Sequence, residues 1–355
     1  MDDATHMIIK DFADLSGAEL DAWHALRAKN PLLDSPYFHP GFAAAVHVSN
    51  PVQVVVEREA HKEHNGVTAL LPCHRDGSTL RPVGWPGADF QGPILAPGTT
   101  FDPCGLLTGG VRAFAFDHLV DGLAEAEPWI LSRRPSPFID VTGGLDGYLG
   151  RASRSGKDNM GQARRRTAKA GRVHGEVRFA ADAVDAESLA RVIELKRAQY
   201  EATGALDYFA EPGRAELLTR LMHTRDTSFG GVLSTLHAGP HLLAAHFGMR
   251  ADGVLHWWFP VYDPAFGNLA PGWMLLRELI AAAPEMGITR IDLGRGDDEY
   301  KRRAKTGETM VAQGLVTRNR ARLLLRRTRE SLASTVRSSA VGPALLRRVR
   351  RFRNR

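Results

Sequence analysis

The sequence predicts an α/β fold in which a mixed sheet is flanked by helices. Three observations between residues 242 and 301 carry that prediction. First, two β-rich runs, 242–250 and 254–262, meet through Ala251-Asp252-Gly253. Asp-Gly is a strong hairpin signal, because a two-residue type I′ turn needs positive φ at both centres. Second, a polar loop leads to Pro271-Gly272 and a helical pattern over 273–286. There Met274, Leu275, Leu276, Leu279 and Ile280 make one apolar stripe, and Pro271 suits the first turn. Third, Gly287 fits the helix stop, and 288–293 reads as a short buried strand. It runs into Gly294-Arg295-Gly296 and an acidic helix start at Asp297-Asp298-Glu299, which complements the helix dipole. Strand, helix, strand in this order is a crossover between parallel strands, right-handed by the general rule. Its loops lie at strand ends, where such sheets bind ligands.

The remaining elements follow in order. Ser16 to Glu19 is a capping box opening a helix through Lys29. Asn30-Pro31 stops that helix, since the residue before proline is pushed out of the helical basin. A second short helix follows Pro40, and 52–57 with 67–71 form a hairpin. Residues 81–98, including Trp85 to Pro93 (WPGADFQGP), are too rich in Gly and Pro for a regular element. A loop of that length is more often functional than idle. Residues 111–125 show helical spacing, and 129–132 and 138–141 read as short strands, giving a first unit over 1–145. A basic helix over 151–172 is expected to stop at Gly171. A strand at 173–179 follows, then a helix from Asp185 to Thr203, another over 212–223, and strands at 231–236 and 310–317. The expected division is thus 1–145, 146–317 and a tail, 318–355.

Composition narrows the class. The 355 residues are 43% hydrophobic and 24% charged, ordinary for a globular protein, and no apolar run is long enough to span a bilayer. The acidic start, MDDATHMIIKDF, lacks the apolar core of a signal peptide. Cys73 and Cys104 stand far apart without a CxxC, so a reduced, cytoplasmic location is expected, with no disulfide framework and no metal. The +6 net charge conceals an asymmetry. Residues 318–355 hold 13 arginines against one acid, Glu330, a net +12, so the rest of the chain carries −6. In the tail, arginine clusters alternate with Leu323-Leu324-Leu325, Leu332, Val336, Leu345-Leu346 and Val349, with a break at Gly342-Pro343. That is the composition of a basic amphipathic helix suited to anionic lipid head groups or, less favoured, RNA. Dinucleotide, GxSxG and P-loop patterns are missing, and His61-Lys-Glu-His64 lacks the histidine spacing of a metalloprotease.

Tyr262-Asp263-Pro264, Pro271-Gly272, Asp292-Leu293-Gly294-Arg295-Gly296-Asp297 and Tyr300-Lys301 together resemble one family. It is the group of GNAT-superfamily acyltransferases typified by the CelD-type proteins of bacterial cellulose and exopolysaccharide biosynthesis, related to the Fem-type peptidoglycan aminoacyltransferases. The resemblance spans roughly residues 30–317 and is sharpest over 155–301. It implies two tandem GNAT-like units, the first degenerate, and direct transfer of an acyl group, most readily acetyl from acetyl-CoA, onto an amine or hydroxyl.

On that resemblance the helix start at Asn268, Gly272 and Trp273 faces the pyrophosphate of the acyl donor, where a helix N-terminus offers unpaired N–H groups and a positive dipole end. The superfamily's Arg/Gln-x-x-Gly-x-Gly/Ala pattern is absent from this turn, so aminoacyl-tRNA stays open as the donor. Arg295 and Lys301 can hold a phosphate or carboxylate. Tyr300 stands where the superfamily often places the acid that protonates the departing thiolate. Asp292 and His256, with His246, Asp263 and Glu299, are candidate bases, and strand histidines are also common as hydrogen-bonded core residues. Trp257, Trp258, Tyr262 and Asp263 could line an acceptor pocket or pack as core. Lys157 and Arg165 belong to the family's basic helix, which reads equally as a solvated face. Two rivals remain beside the acetyltransferase: an aminoacyl-tRNA-dependent transferase, and an inactive accessory at the membrane surface.

Overall fold

The computed structural model describes residues 6–59 and 66–338, so the His61–His64 segment and the tail beyond Ser338 lie outside the described residues. The chain forms two compact units. One holds residues up to Arg134, Tyr200–Asp207 and Met310 onward; the other holds Pro135–Gln199 and Tyr208–Thr309.

The first unit begins with β1 (His6–Asp11), α1 (Gly17–Lys29) and α2 (Pro40–His47). It continues through β2 (Gln53–Arg58), β3 (Val67–Asp76), β4 (Thr79–Pro82), β5 (Ile94–Leu95) and β6 (Ala113–Val120). The capping box before α1 forms as expected, and β2 and β3 pair antiparallel. Where helical spacing was expected over 111–125, the chain is the strand β6. Its period is two: Ala113 and Ala115 pack on one face and Phe114 and Phe116 on the other. Both faces are buried, so the polar alternation that marks a half-exposed strand is missing.

The segment after β4 is packed rather than free. The Gln91 amide donates to the Asp117 carboxylate at 2.8 Å, and its oxygen accepts from the Asp117 and His118 N–H groups. Burial pulls the His118 pKa down, but the flanking Asp117 and Asp89 carboxylates outweigh it and raise the value. Cys73 is buried, with its thiol pushed up to about 12 by burial.

β7 (Ile130–Asp140) leads into the second unit, so the two short strands expected at 129–132 and 138–141 are one. There follow α3 (Gly144–Arg151), α4 (Arg154–His174), β8 (Val177–Ala180), α5 (Ala186–Thr203) and α6 (Arg214–His223). Next come β9 (Phe229–Ala238), β10 (His241–Ala251), β11 (Val254–Tyr262), α7 (Pro271–Ala282), β12 (Arg290–Asp292) and α8 (Glu299–Ala304). α4 runs through Gly171 and stops at Gly175 (φ 100°), because one glycine inside a helix costs only about 1 kcal/mol. Strand order in this unit is β7-β12-β11-β10-β9-β8. β8 to β11 is an antiparallel meander with Asp252 and Gly253 both at positive φ in the β10–β11 turn, and β11 and β12 are parallel. The α7 stripe lies in the core with Ile139, Leu255, Ile288 and Ile291. Each such side chain contributes about 1.5–3 kcal/mol on burial, which holds α7 against the sheet.

The chain then returns to the first unit through β13 (Gly307–Val316), which pairs with β6, and α9 (Arg320–Ser338). The expected class therefore stands: mixed sheet flanked by helices. No helix among the described residues is long and apolar enough to cross a membrane.

Glu19 ties α1 to two strands. Its carboxylate takes Lys10 Nζ at 2.9 Å, Arg58 Nη2 at 2.8 Å and the Ser16 N–H at 2.8 Å. Burial alone would raise its pKa, but Lys10, Ser16 and Arg58 together lower it from 4.5 to about 2. A depressed carboxylate pKa gives stability that is full above about 4.5 and lost as pH falls through about 2. Glu19→Gln should therefore lower the urea midpoint near neutral pH, and the gap from wild type should close in acid. A gap that persists unchanged in acid would contradict this assignment.

Candidate active site

β11 and β12 pair through three rungs only: Val254↔Arg290, Leu255↔Ile291 and His256↔Asp292. Beyond the last rung β12 ends, while β11 runs on to Tyr262. Two local features produce this parting.

The first lies in β7. Leu293 donates its N–H to Pro137 O at 2.9 Å, and Gly296 donates to Pro135 O at 3.3 Å. Neither proline has an N–H to return the bond. Past Asp292 the chain can therefore bond β7 in one direction only, and the ladder stops. Residues 293–298 turn away, with Gly294 at φ 72° and Gly296 at φ 140°.

The second lies between β10 and β11. Phe247 pairs with Phe259 but Met249 pairs with His256, so Trp257 and Trp258 together oppose Gly248. This is a β-bulge on β11, which bends and twists the strand. The His246 ring holds it: Nε2–H donates to His256 O at 3.2 Å, and the ring stacks on Trp257 at 4.2 Å. A Cβ on Gly248 would meet His256 O at 1.9 Å, so only glycine fits. Burial pushes the His246 pKa down to about 3, so the ring stays neutral and Nε2 keeps its proton.

The two strand ends point the same way, and the loops that follow them share that edge. After β11, Asp263 caps a short 3-10 helix (Pro264–Leu269) by accepting from the Ala265 N–H at 2.9 Å. Its second oxygen meets Arg191 of α5 at 3.1 Å. Ala270 then adopts φ 47° and begins α7 without a side-chain cap. Pro271 occupies the first turn, and a side chain added at Gly272 would meet no atom within 4 Å. The first turn of α7 thus offers the Gly272 N–H beside open space, since Pro271 has none and Trp273 donates to Ala270 O at 3.0 Å. Trp273 is half-buried and Asn268 exposed.

After β12 the turn is pinned from beneath. Lys301 is buried, and its Nζ donates to Gly294 O and Arg295 O, both at 3.0 Å, with Asp298 at 3.7 Å. Its ammonium therefore shapes the turn that carries Arg295. α8 is in turn fixed to α3 and α4: Tyr148 OH donates to Ala304 O at 3.1 Å, and a Cβ on Gly156 would lie 2.9 Å from Arg303 O. Tyr300, on α8, is half-buried against the core.

The remaining expected residues are placed as follows. Asp292 and His256 are buried neighbours on the last rung, and Arg290 engages both Asp292 oxygens, at 2.9 and 3.3 Å. Trp258 stacks on Phe259 at 4.6 Å and meets Tyr208 edge-on at 6.0 Å, whereas Tyr262 is exposed. Lys157 and Arg165 are exposed on α4, on the face opposite its packed residues Gly156, Asn159, Met160, Ala163 and Ala170. Gly248, Pro135, Pro137 and Arg290 are contributors that a reading of motifs passes over, and His246, expected as a candidate base or core residue, is a buried brace of the bulge. Gly248 carried the one available signal, an isolated glycine inside a strand. No cluster of three His, Cys, Asp or Glu that could hold a metal occurs among the described residues.

Residues 157–302 match the family described as an acetyltransferase (GNAT) domain. Among solved structures the chain is similar to FemX, with a TM-score of 0.59 and 11% identity over 91% of this chain and 100% of that one. It is similar also to a conserved protein of unknown function from Bacteroides thetaiotaomicron (0.53, 12%, 87% and 100%). A third is L-PGS from Bacillus licheniformis (0.50, 11%, 88% and 96%). At these identities the likeness is one of fold. No curated protein matches the chain significantly.

The bulge is open to direct test. Gly248→Ala should destabilise the protein by about 1–3 kcal/mol in urea unfolding, because the added methyl meets a backbone carbonyl. His246→Gln, which keeps a donor at the Nε2 position, should be milder than His246→Asn by about 1 kcal/mol. Equal losses for the two histidine variants would remove the hydrogen bond from the explanation.

Proposed function

We propose that the protein is an acetyl-CoA-dependent N- (or O-) acetyltransferase acting on a small molecule, sugar or envelope-polymer precursor by direct transfer. The observation that carries this reading is the parting of β11 and β12 after His256↔Asp292, with the uncapped start of α7 on the same edge. The pantetheine arm would enter between the strands. The pyrophosphate would meet the Gly272 N–H in the first turn, beside Trp273 and Asn268, with Arg295 supplying a positive charge.

Beyond the last rung, backbone groups of β11 on that side are not taken by β12, and an N–H there can bond the thioester carbonyl as it becomes an oxyanion. The acceptor nitrogen or oxygen attacks that carbonyl carbon, and the tetrahedral intermediate collapses with cleavage of the C–S bond. The thiolate takes a proton from the Tyr300 hydroxyl. The acceptor's proton passes to a base beside the last rung. His256 is the candidate there, since Asp292 is engaged by Arg290 and acts as a positioning residue. Trp258, Tyr262 and Asp263 lie along the path from β11 to α7 and supply the acceptor side. Lys301 acts on the donor through the turn it holds. A CelD-type role in exopolysaccharide biosynthesis, on the cytoplasmic side and at the membrane surface, belongs to the same proposal.

A second reading rests on α4, where Arg154, Lys157, Arg164, Arg165, Lys169 and Arg172 are all exposed. A row of cations suits nucleic-acid phosphates, and with the likeness to FemX it supports an aminoacyl-tRNA donor. Thermal shift separates the two. Stabilisation by acetyl-CoA and not by tRNA is expected; stabilisation by tRNA alone, falling steeply with salt, would establish the second. Tyr300→Phe should lower turnover about 100-fold with acetyl-CoA binding intact. Arg295→Ala should weaken donor binding about 10-fold. If neither donor binds and both variants retain cellular function, the protein is an inactive accessory.

A further inference from the structure

α9 is docked on the first unit by one side and shows the other to solvent. Leu323 packs on Ala113, Ala115 and Leu315. Arg322 Nη2 donates to Thr79 Oγ1 at 3.4 Å, and Arg327 Nη2 donates to Pro128 O at 2.8 Å. Glu330, the one acid between residues 318 and 355, faces the body, accepting from Ser132 and Arg134 at 3.4 Å each.

What remains outward has a different composition. Leu324 is 66% and Leu325 53% exposed. Arg318, Arg320, Arg326 and Arg329 are exposed around them. In sequence, Leu325, Leu332 and Val336 are spaced seven and four apart, the recurrence that keeps residues on one helical face. The docking therefore turns the only carboxylate inward and leaves leucines and arginines out.

We infer that α9 is a membrane-docking helix: Leu324 and Leu325 enter the head-group region of an anionic bilayer while Arg318, Arg320, Arg326 and Arg329 pair with lipid phosphates. A second copy of the chain is the poorer occupant, because two segments of net +12 repel each other. An RNA would use the arginines but leave the leucines in water. The chain beyond Ser338 continues the same composition, with six arginines, no acid, and Leu345, Leu346, Val349 and Phe352. One helix of this kind gives reversible attachment, with apolar burial and charge both required. The inference is independent of which acyl donor the second unit uses.

Cosedimentation of the full chain with phosphatidylcholine vesicles, with and without phosphatidylglycerol, tests it. The chain should pellet with the anionic vesicles only, and added salt should release it. Leu324→Ser with Leu325→Ser keeps every charge and should lower partitioning at least about tenfold. Thermal unfolding should be unchanged, since both side chains are exposed. Arg326→Glu with Arg329→Glu should also lower partitioning and flatten the salt dependence. Three results would overturn the inference. The first is a leucine variant that binds the vesicles like wild type, leaving only surface charge. The second is self-association through these leucines with vesicle binding unaffected. The third is single-stranded RNA binding equally to the wild type and the leucine variant while vesicles bind neither.

Discussion

The parallel ladder between β11 and β12 ends after three rungs, and the site proposed above depends on that end. Parallel strands ordinarily stay paired to their ends, because each unpaired N–H or C=O that is buried costs free energy. Here β11 and β12 separate after His256↔Asp292 for two independent reasons. Pro135 and Pro137 withhold donors from the chain that follows β12, and the bulge opposite Gly248 redirects β11. Either defect alone would shorten the ladder. Acting on the two strands from opposite sides, they set its end at the same rung.

An opening of this kind needs a stiff surround, and buried polar groups supply it. Lys301 occupies a nearly dry position, where an unpaired ammonium would be costly, and its bonds to two carbonyls fix the 293–298 turn. Arg290 and Asp292 neutralise each other beside the gap. His246 is held neutral by burial, so its bond to His256 O does not vary over ordinary pH. Tyr148 and Gly156 bring α8 close to α3 and α4, which sets where Tyr300 lies. The chemistry proposed for the site then asks little of the side chains beyond position, in keeping with catalysis by orientation and oxyanion stabilisation.

Features with local causes were legible in the sequence. The Asp252-Gly253 turn, the α7 stripe and the capping box at Ser16 each depend on a few adjacent residues, and each forms as expected. What was not legible depends on partners distant in the chain. Pro135-Ser136-Pro137 reads as a break between strands, yet β7 passes through it, because both prolines sit where their missing N–H groups face the turn after β12. β6 hides its period of two in the sequence because both of its faces are buried, which erases the polar alternation. The strand end, glycine turn and helix start from Asp292 to Lys301 were readable, but the partners of each side chain were not. Lys301 is a phosphate ligand on paper and a brace for the turn in three dimensions. The end of the β11–β12 ladder is set by strand residues outside the charged motif.

Amide hydrogen exchange with and without acetyl-CoA tests the central claim most directly, because it reports on the backbone groups that the parting of the strands exposes. Protection is predicted at residues 257–262 of β11, at the first turn of α7 and in the 293–298 turn, with the β8–β10 meander unchanged. Exchange that slows elsewhere while these three segments stay as they are would contradict a donor site between β11 and β12.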